Sequence, residues 1–193
     1  TGVAWQTGVS YLSTSPRDRT FDNLDSSGNP VNTNSFSGNS RLWVLDGILK
    51  WAPNQNPTYT NFKLQGEYFR RKEDGNLTFD TTATAQTGGF ASVQSGWYLQ
   101  GVYQFVPMWR VGYRYDRLNS GTASFSAPLI APAFPILATY NPTRQTVMVD
   151  WSPSEFSRVR LQFASDKSRS DATDNQVFLQ YIVSLGAHGA HKF

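Results

Sequence analysis

The sequence predicts an all-β fold, a transmembrane antiparallel up-and-down β-barrel of about eight strands, and three observations predict it. Apolar and polar residues alternate along segments of about 8 to 12 residues, the length that a tilted strand needs to cross a bilayer. Longer connections rich in Ser, Thr, Asn, Asp and Gly alternate along the chain with short connections that contain Pro. Trp and Tyr cluster at the ends of the apolar faces, whereas Leu, Val and Gly fill their middles.

The alternation places the strands in order along the chain. The first predicted strand has an apolar face at Val3, Trp5, Val9 and Tyr11, with smaller or polar residues between them. The same alternation recurs from Trp43 to Trp51, Phe62 to Tyr68, Trp97 to Phe105, Trp109 to Tyr115, Val147 to Trp151, Val159 to Phe163 and Val177 to Leu185.

The predicted connections differ in length at the two ends of the strands. Longer connections are predicted at 14–40, 72–95, 119–142 and 166–175, and shorter ones at 52–59, 106–107 and 152–156. Long and short connections then lie on opposite sides, as in transmembrane barrels with short periplasmic turns and long extracellular loops. We expect a single outer-membrane β-barrel domain over 1–193, either a processed mature chain or a C-terminal segment of a longer one.

Composition argues against several other classes of protein. The most apolar stretch, 128–137, contains Pro132 and Pro135 and is too short for a membrane-spanning helix. The net charge of +3 is scattered along the chain, which argues against a nucleic-acid partner. Cysteine is absent and there are only two histidines, so the residues predict neither an enzyme nor a cofactor.

The aromatic residues bear on which solvent the apolar faces meet. Alternation alone also fits a soluble barrel or sandwich, in which the apolar faces form a core. Sorting aromatics to the strand ends is typical of interfacial girdles in membranes and has no purpose in a soluble core. The predicted membrane-girdle aromatics are Trp5, Trp43, Trp51, Trp97, Trp109, Tyr115 and Trp151.

Charged residues fall on the opposite faces of the predicted strands, where they become candidates for lining a pore. Basic residues outnumber acidic ones, which predicts a weak preference for anions. An eight-stranded barrel is just wide enough to be filled by its own side chains, so mutually paired charges that plug the interior are the alternative. The pore-lining candidates are Asp46, Lys50, Lys63, Glu67, Arg110, Arg114, Asp116, Asp150, Arg158 and Arg160.

The connection 119–142 contains an unusual apolar segment, residues 127–137. If it is exposed outside the cell, it is a site for a partner; if it is folded inward, it is a constriction. Near the C-terminus, His188 and His191 have a spacing that suggests a metal clip, but on a continuing strand they point to opposite faces. They remain weak candidates, and the favoured prediction is no metal site.

The C-terminus and several internal segments resemble known proteins. The apolar alternation from Val177 to Leu185, followed by the terminal Phe193, resembles the last strand of Gram-negative outer-membrane proteins, whose terminal aromatic is part of the signal for barrel assembly. Segments 64–75, 95–105, 150–157 and 184–191 resemble a porin-like family described as zinc-regulated, TonB-dependent-type outer-membrane receptors. That resemblance implies that these strands belong to the C-terminal part of a larger barrel.

The leading hypothesis is a porin-like channel of the bacterial outer membrane, for passive diffusion or uptake of small solutes. The alternative is a closed small barrel with a structural, adhesive or surface-binding role through its long extracellular loops. Either version has outer-membrane lipid, lipopolysaccharide and the barrel-assembly machinery as expected partners, and leaves homo-oligomerisation open. We expect neither nucleic acid nor a cofactor.

Overall fold

The computed structural model describes residues 2–25 and 27–185, and nine strands account for most of them. Alternating β-branched or aromatic and polar residues favour extended backbone, because each type then packs on its own side of a pleated sheet. The strands are β1 (Val3–Thr14), β2 (Arg19–Leu24), β3 (Pro30–Trp51), β4 (Asn61–Phe79), β5 (Gln86–Val106), β6 (Trp109–Phe125), β7 (Thr143–Ser154), β8 (Ser157–Lys167) and β9 (Asp174–Val183).

All nine strands form one antiparallel sheet. Its main path runs β1-β3-β4-β5-β6-β7-β8-β9, so strands that follow each other along this path are neighbours. The predicted all-β class and up-and-down order are therefore confirmed. Within the described residues β1 and β9 are the two edges of the path and do not pair with each other, so the sheet does not close.

The prediction of about eight strands holds for the main path, but it overlooked β2, which pairs with the first part of β3. β1 and β2 lie one after the other along the same edge of β3, separated by residues 15–18. Pro16 has no N–H to donate, and Asp18 has a positive φ of 51°. Both features interrupt the hydrogen-bond ladder with β3, so two strands, β1 and β2, form where one continuous strand could have run.

Two of the predicted long connections, 14–40 and 72–95, are wrong, because most of their residues lie in strands. β3 begins at Pro30, and β4 and β5 continue to a turn at 80–85 that is shorter than the connection at 52–60. What distinguishes this end of the sheet is the extra height of β3, β4 and β5, which are 22, 19 and 21 residues long. In 119–142, β6 continues to Phe125 and is followed by two 3-10 turns, Ala131–Ala133 and Pro135–Leu137.

The tall strands divide the molecule into two regions. We call residues 19–40, 71–94 and 119–142 the cap, and the rest of the sheet the lower sheet. The opposite end, with the connections 52–60, 107–108 and 155–156, is the turn end. Among the described residues, the buried apolar core lies in the cap. No helix in 2–25 or 27–185 is long and apolar enough to cross a membrane.

Candidate functional site

One face of the lower sheet carries apolar side chains that remain exposed; we call it the apolar face. Strand pairing places all six tryptophans of the chain on it. Trp5 on β1 is 72% exposed and Leu179 on β9 is 76% exposed, so the exposed surface extends from one edge of the sheet to the other. A contiguous apolar surface of this extent is rare on soluble monomers and marks contact with a partner or with lipid.

Aromatic rings on the apolar face meet at both of its ends. At the cap end Tyr11 contacts Trp43, with ring centroids 4.6 Å apart, and the centroids of Trp97 and Tyr115 are 5.3 Å apart. At the turn end the cross-strand pair Trp109 and Trp151 stacks at 6.2 Å. Trp43 and Trp51 are eight residues apart on β3, which is about 27 Å along an extended strand.

The opposite face of the lower sheet, the polar face, holds all ten predicted pore-lining residues. Asp46 pairs with Glu67 and Lys50 with Lys63, while Arg110, Asp150 and Arg160 occupy one row across β6, β7 and β8. Cross-strand partners share a face, and alternation along the strands brings the remaining three, Arg114, Asp116 and Arg158, to the same side. Their role as a pore lining stays a prediction.

Hydrogen bonds fix several of these charged groups. The Arg114 guanidinium donates to the Asp116 carboxylate, with the shortest N–O distance 2.6 Å, and lies 3.7 Å above the centre of the Tyr98 ring. The Tyr98 hydroxyl donates to a Glu67 carboxylate oxygen at 2.9 Å. The chain of contacts from β4 to β6 therefore holds these side chains in defined positions.

Residues that the sequence analysis missed complete this face. Arg144 and Asp166 lie opposite one another on β7 and β8, with 3.5 Å between guanidinium and carboxylate. Gln104 accepts a hydrogen bond from Arg110 and donates to the Thr58 carbonyl. Parity would have found Arg144, since it shares its strand and its side with Asp150, but it lies between the predicted connection 119–142 and the predicted strand that begins at Val147.

The charges on the polar face are segregated along the strands. Four strands carry an acid nearer the cap and a base nearer the turn end, and only β7 has the reverse order, with both of its charges paired to neighbouring strands. In an extended strand, a separation of four residues is about 14 Å. The pairs, acid first, are Asp46 and Lys50 on β3, Glu67 and Lys63 on β4, Asp116 and Arg110 on β6, and Asp166 and Arg160 on β8.

A cavity of about 520 Å³ lies against the polar face of β6, β7 and β8. Arg114, Arg144 and Arg160 line it together with Asp116 and Asp166. Gln100, Gln162 and Thr146 add uncharged hydrogen-bonding groups. The cavity therefore offers a polar solute both charged and uncharged hydrogen-bonding groups, beside apolar surface from Leu118 and Met148.

The apolar side chains change faces in the cap. Phe36 on β3, Leu77 on β4 and Phe90 on β5 continue the series of the polar face, and they are at most 6% exposed. Lys72 and Asp74 continue the series of the apolar face in the same region. The same strands are thus apolar on one side in the lower sheet and on the other side in the cap.

The segment 127–137 covers this apolar part of the cap. Leu129 and Phe134 are buried against Phe36, Leu77 and Phe90. The Asn23 side-chain amide donates to the Ala133 carbonyl at 2.9 Å, which ties the segment to β2. The segment is therefore folded onto the side of the sheet that carries the charges lower down, while Ile130 and Ile136 remain exposed.

A β-bulge on β6 lets this strand join the cap. Ser120 and Gly121 lie across from Gln94, and Gly121 has a φ of 63°, where a Cβ would lie 1.7 Å from the Val93 carbonyl oxygen. The extra residue reverses which positions face the core. Phe125 thereby stacks on Phe134, with ring centroids 5.4 Å apart.

A buried carboxylate braces the junction between the cap and the lower sheet. Glu73 is 3% exposed, and its oxygens accept hydrogen bonds from Arg19 at 2.8 and 3.3 Å. Burial alone would raise the pKa of Glu73, but the hydrogen bonds from Arg19 and the positive charges of Arg71 and Arg19 outweigh it and hold the pKa below its ordinary value. The Arg19 guanidinium also lies 4.9 Å from the centre of the Phe36 ring.

Some predicted residues fall outside what the structure describes. The proposed assembly residue Phe193 and the weak metal candidates His188 and His191 lie outside the described residues. Within 2–25 and 27–185, no group of three or more His, Cys, Asp or Glu side chains is placed to hold a metal ion.

Comparisons with known proteins show a distant likeness. The chain is 28% identical over 164 residues to an uncharacterized protein of Aquifex aeolicus (strain VF5), and this match covers 82% of the chain but only 32% of the relative. No protein-family model matches the chain, and no solved structure does. The resemblance to zinc-regulated, TonB-dependent-type receptors therefore stays a prediction.

Proposed function

We propose that the lower sheet is part of the wall of a bacterial outer-membrane β-barrel, and that its polar face lines a channel for small solutes. The observation that carries this proposal is the change of faces along β3, β4 and β5. A sheet in water buries its apolar side throughout, whereas a strand that leaves lipid for water turns its apolar side chains from the outside to the inside. The aromatic rings at both ends of the apolar face fit the same interpretation.

The open edges and the length of the relative favour a barrel larger than these strands. An eight-stranded barrel is filled by its own side chains, but a barrel with more strands leaves an aqueous lumen. The relative is much longer than the matched part, so further strands pairing with β1 and β9 are the expected way to close the wall. Lipopolysaccharide and the barrel-assembly machinery are the partners that this location implies.

The charge balance of the polar face supports a weak preference for anions. It carries seven basic side chains against six acidic ones: Lys50, Lys63, Arg110, Arg114, Arg144, Arg158 and Arg160 against Asp46, Glu67, Asp116, Asp150, Asp166 and Asp174. Rings of basic side chains favour anions in pores.

Planar-bilayer recordings test the channel directly. Purified full-length protein added to the bilayer is expected to give discrete conductance steps, and detergent alone serves as the blank. If the protein inserts, as shown by quenching of tryptophan fluorescence by brominated lipid, but gives no steps above the blank, the channel is disproved and the membrane wall is retained.

A second candidate function is binding of a surface partner by the cap. Four large apolar residues of the cap remain at least 60% exposed: Leu24, Val31, Ile130 and Ile136. Replacing Ile130 and Ile136 with serine leaves the buried Phe134 in place and is expected to abolish binding to cells or lipopolysaccharide if this version is right. Unchanged binding would rule it out.

A further inference from the structure

Three arginines surround one buried carboxylate at the turn end of the polar face. Asp150 is 1% exposed and accepts two hydrogen bonds from Arg160, at 2.6 and 2.9 Å. Arg158 approaches the same carboxylate at 3.7 Å. Arg110, the cross-strand partner of Asp150, is repelled by both other arginines. One carboxylate balances one guanidinium, and among the described residues no second carboxylate pairs with these three arginines.

Two buried polar atoms at this place have no hydrogen-bond partner. They are the Ser152 Oγ and the Arg158 Nε. Trp151 pairs with Val159 and Ser154 with Ser157, so Ser152 and Arg158 both lie in the short irregular stretch between these two pairs. Both atoms carry a hydrogen to donate, and a buried donor without an acceptor destabilises the folded protein. An acceptor is therefore the group that this part of the molecule lacks.

We propose that Arg110, Arg158 and Ser152 form a binding subsite for an oxyanion, a carboxylate or a phosphate group. The subsite supplies two uncompensated positive charges and two free donors, which match the several acceptor oxygens of such a group. Asp150 is a positioning residue, because it holds Arg160 and Arg158 on the polar face. Gln104 fixes Arg110 by accepting from its Nε at 3.1 Å, and Gln104 is itself anchored to the Thr58 carbonyl.

This subsite names a class of solute for the proposed channel. It rests on the proposed function, because solutes must reach the polar face. It lies at the turn end, beyond the acidic groups Asp46, Glu67 and Asp116. An anion entering from the cap end would thus pass an acidic region before it reaches the basic one. A solute with a positive and a negative end fits that order of charges better than a simple anion does.

Isothermal titration calorimetry of the purified protein in detergent tests the subsite without a membrane. Inorganic phosphate and acetate are titrated separately, with chloride at the same ionic strength as the comparison. Binding of either oxyanion in preference to chloride is expected, and the stronger of the two identifies the group. Equal heats from chloride would overturn the proposal, because the arginines then act only through general charge screening.

Variants decide whether binding occurs at this place. Arg110→Gln and Arg158→Gln are each expected to weaken oxyanion binding about tenfold or more, the effect of losing a charged hydrogen bond. Arg158→Lys keeps the charge but removes Nε, so an intermediate weakening is expected. Arg70→Gln, on the apolar face of β4, removes the same charge and should leave binding unchanged.

The outcomes separate the subsite from the channel. Circular dichroism shows which variants fold. If an Arg158 variant does not fold, Arg110→Gln still tests the subsite, because Arg110 is less buried than Asp150. Binding with no conductance would disprove only the channel. Conductance without preferential oxyanion binding, or equal weakening by Arg70→Gln, would disprove only the subsite.

Discussion

The cap and the lower sheet share β3, β4 and β5, yet their apolar side chains lie on opposite sides of these strands. On β3, Phe36 in the cap is 1% exposed, whereas Trp43 and Leu45 in the lower sheet are each 54% exposed. The strand geometry is the same in both regions, and cross-strand pairing between β3 and β4 runs through the junction without a shift. The alternation thus decides which residues share a side, and the surroundings decide which side must be apolar.

The largest expected effect is the loss of the cap when its central ring is removed. Phe134→Ala empties a fully buried position and should destabilise the cap by about 3–5 kcal/mol. Hydrogen exchange should accelerate at residues 30–36 of β3 and remain slow at residues 43–51. Ile136→Ala, 65% exposed on the same segment, is the control and should change neither. Equal acceleration in both halves of β3 would show that cap and lower sheet unfold as one unit.

A charged residue on the apolar face separates lipid from water as the surrounding of the lower sheet. Leu45→Arg should destabilise protein in lipid vesicles by about 2 kcal/mol, the cost of an arginine inside a bilayer. Val31→Arg is the matched control, on the same strand and at 66% exposure, and should change stability by less than about 0.5 kcal/mol. Urea unfolding from vesicles measures both. Two equally small effects would contradict membrane burial of the apolar face.

The ion pair at the junction makes the cap sensitive to acid. The pKa of Glu73 is lowered in the folded protein, so its stabilising contribution is present at neutral pH and is lost as the pH falls through the folded value, below 4.5. Hydrogen exchange at residues 33–40, measured against pH, should show the cap opening more readily in acid. Glu73→Gln should open more readily at neutral pH and lose most of this dependence. An unchanged acid response in that variant would assign it to other carboxylates.

The sequence predicted the lower sheet far better than the cap. Strict alternation places Trp43 and Asp46 on opposite faces without knowledge of the fold, and pairing confirms this. In the cap, the polar residues around Phe36 and Leu77 conceal strands that bury only one apolar side chain at a time. The bulge at Gly121 also reverses the parity on which sequence reasoning depends. Alternation within a strand does not show whether the sheet closes into a barrel. Nor does it show which residues cover Phe90, because those residues come from distant segments of the chain.

The smallest expected effect concerns the polar face, where segregated charges should make conduction asymmetric. A pore that is acidic at one end and basic at the other passes unequal currents at opposite voltages, because each end concentrates a different ion. The double variant Lys50→Gln with Lys63→Gln removes two adjacent bases at the turn end and should shift the reversal potential in a salt gradient toward cations and reduce rectification. Arg70→Gln, on the apolar face of β4, is the matched control and should leave both unchanged. If the control alters the reversal potential as much as the double variant does, the polar face does not line the path of the ions, and the exposed apolar face of the lower sheet would need another explanation than lipid.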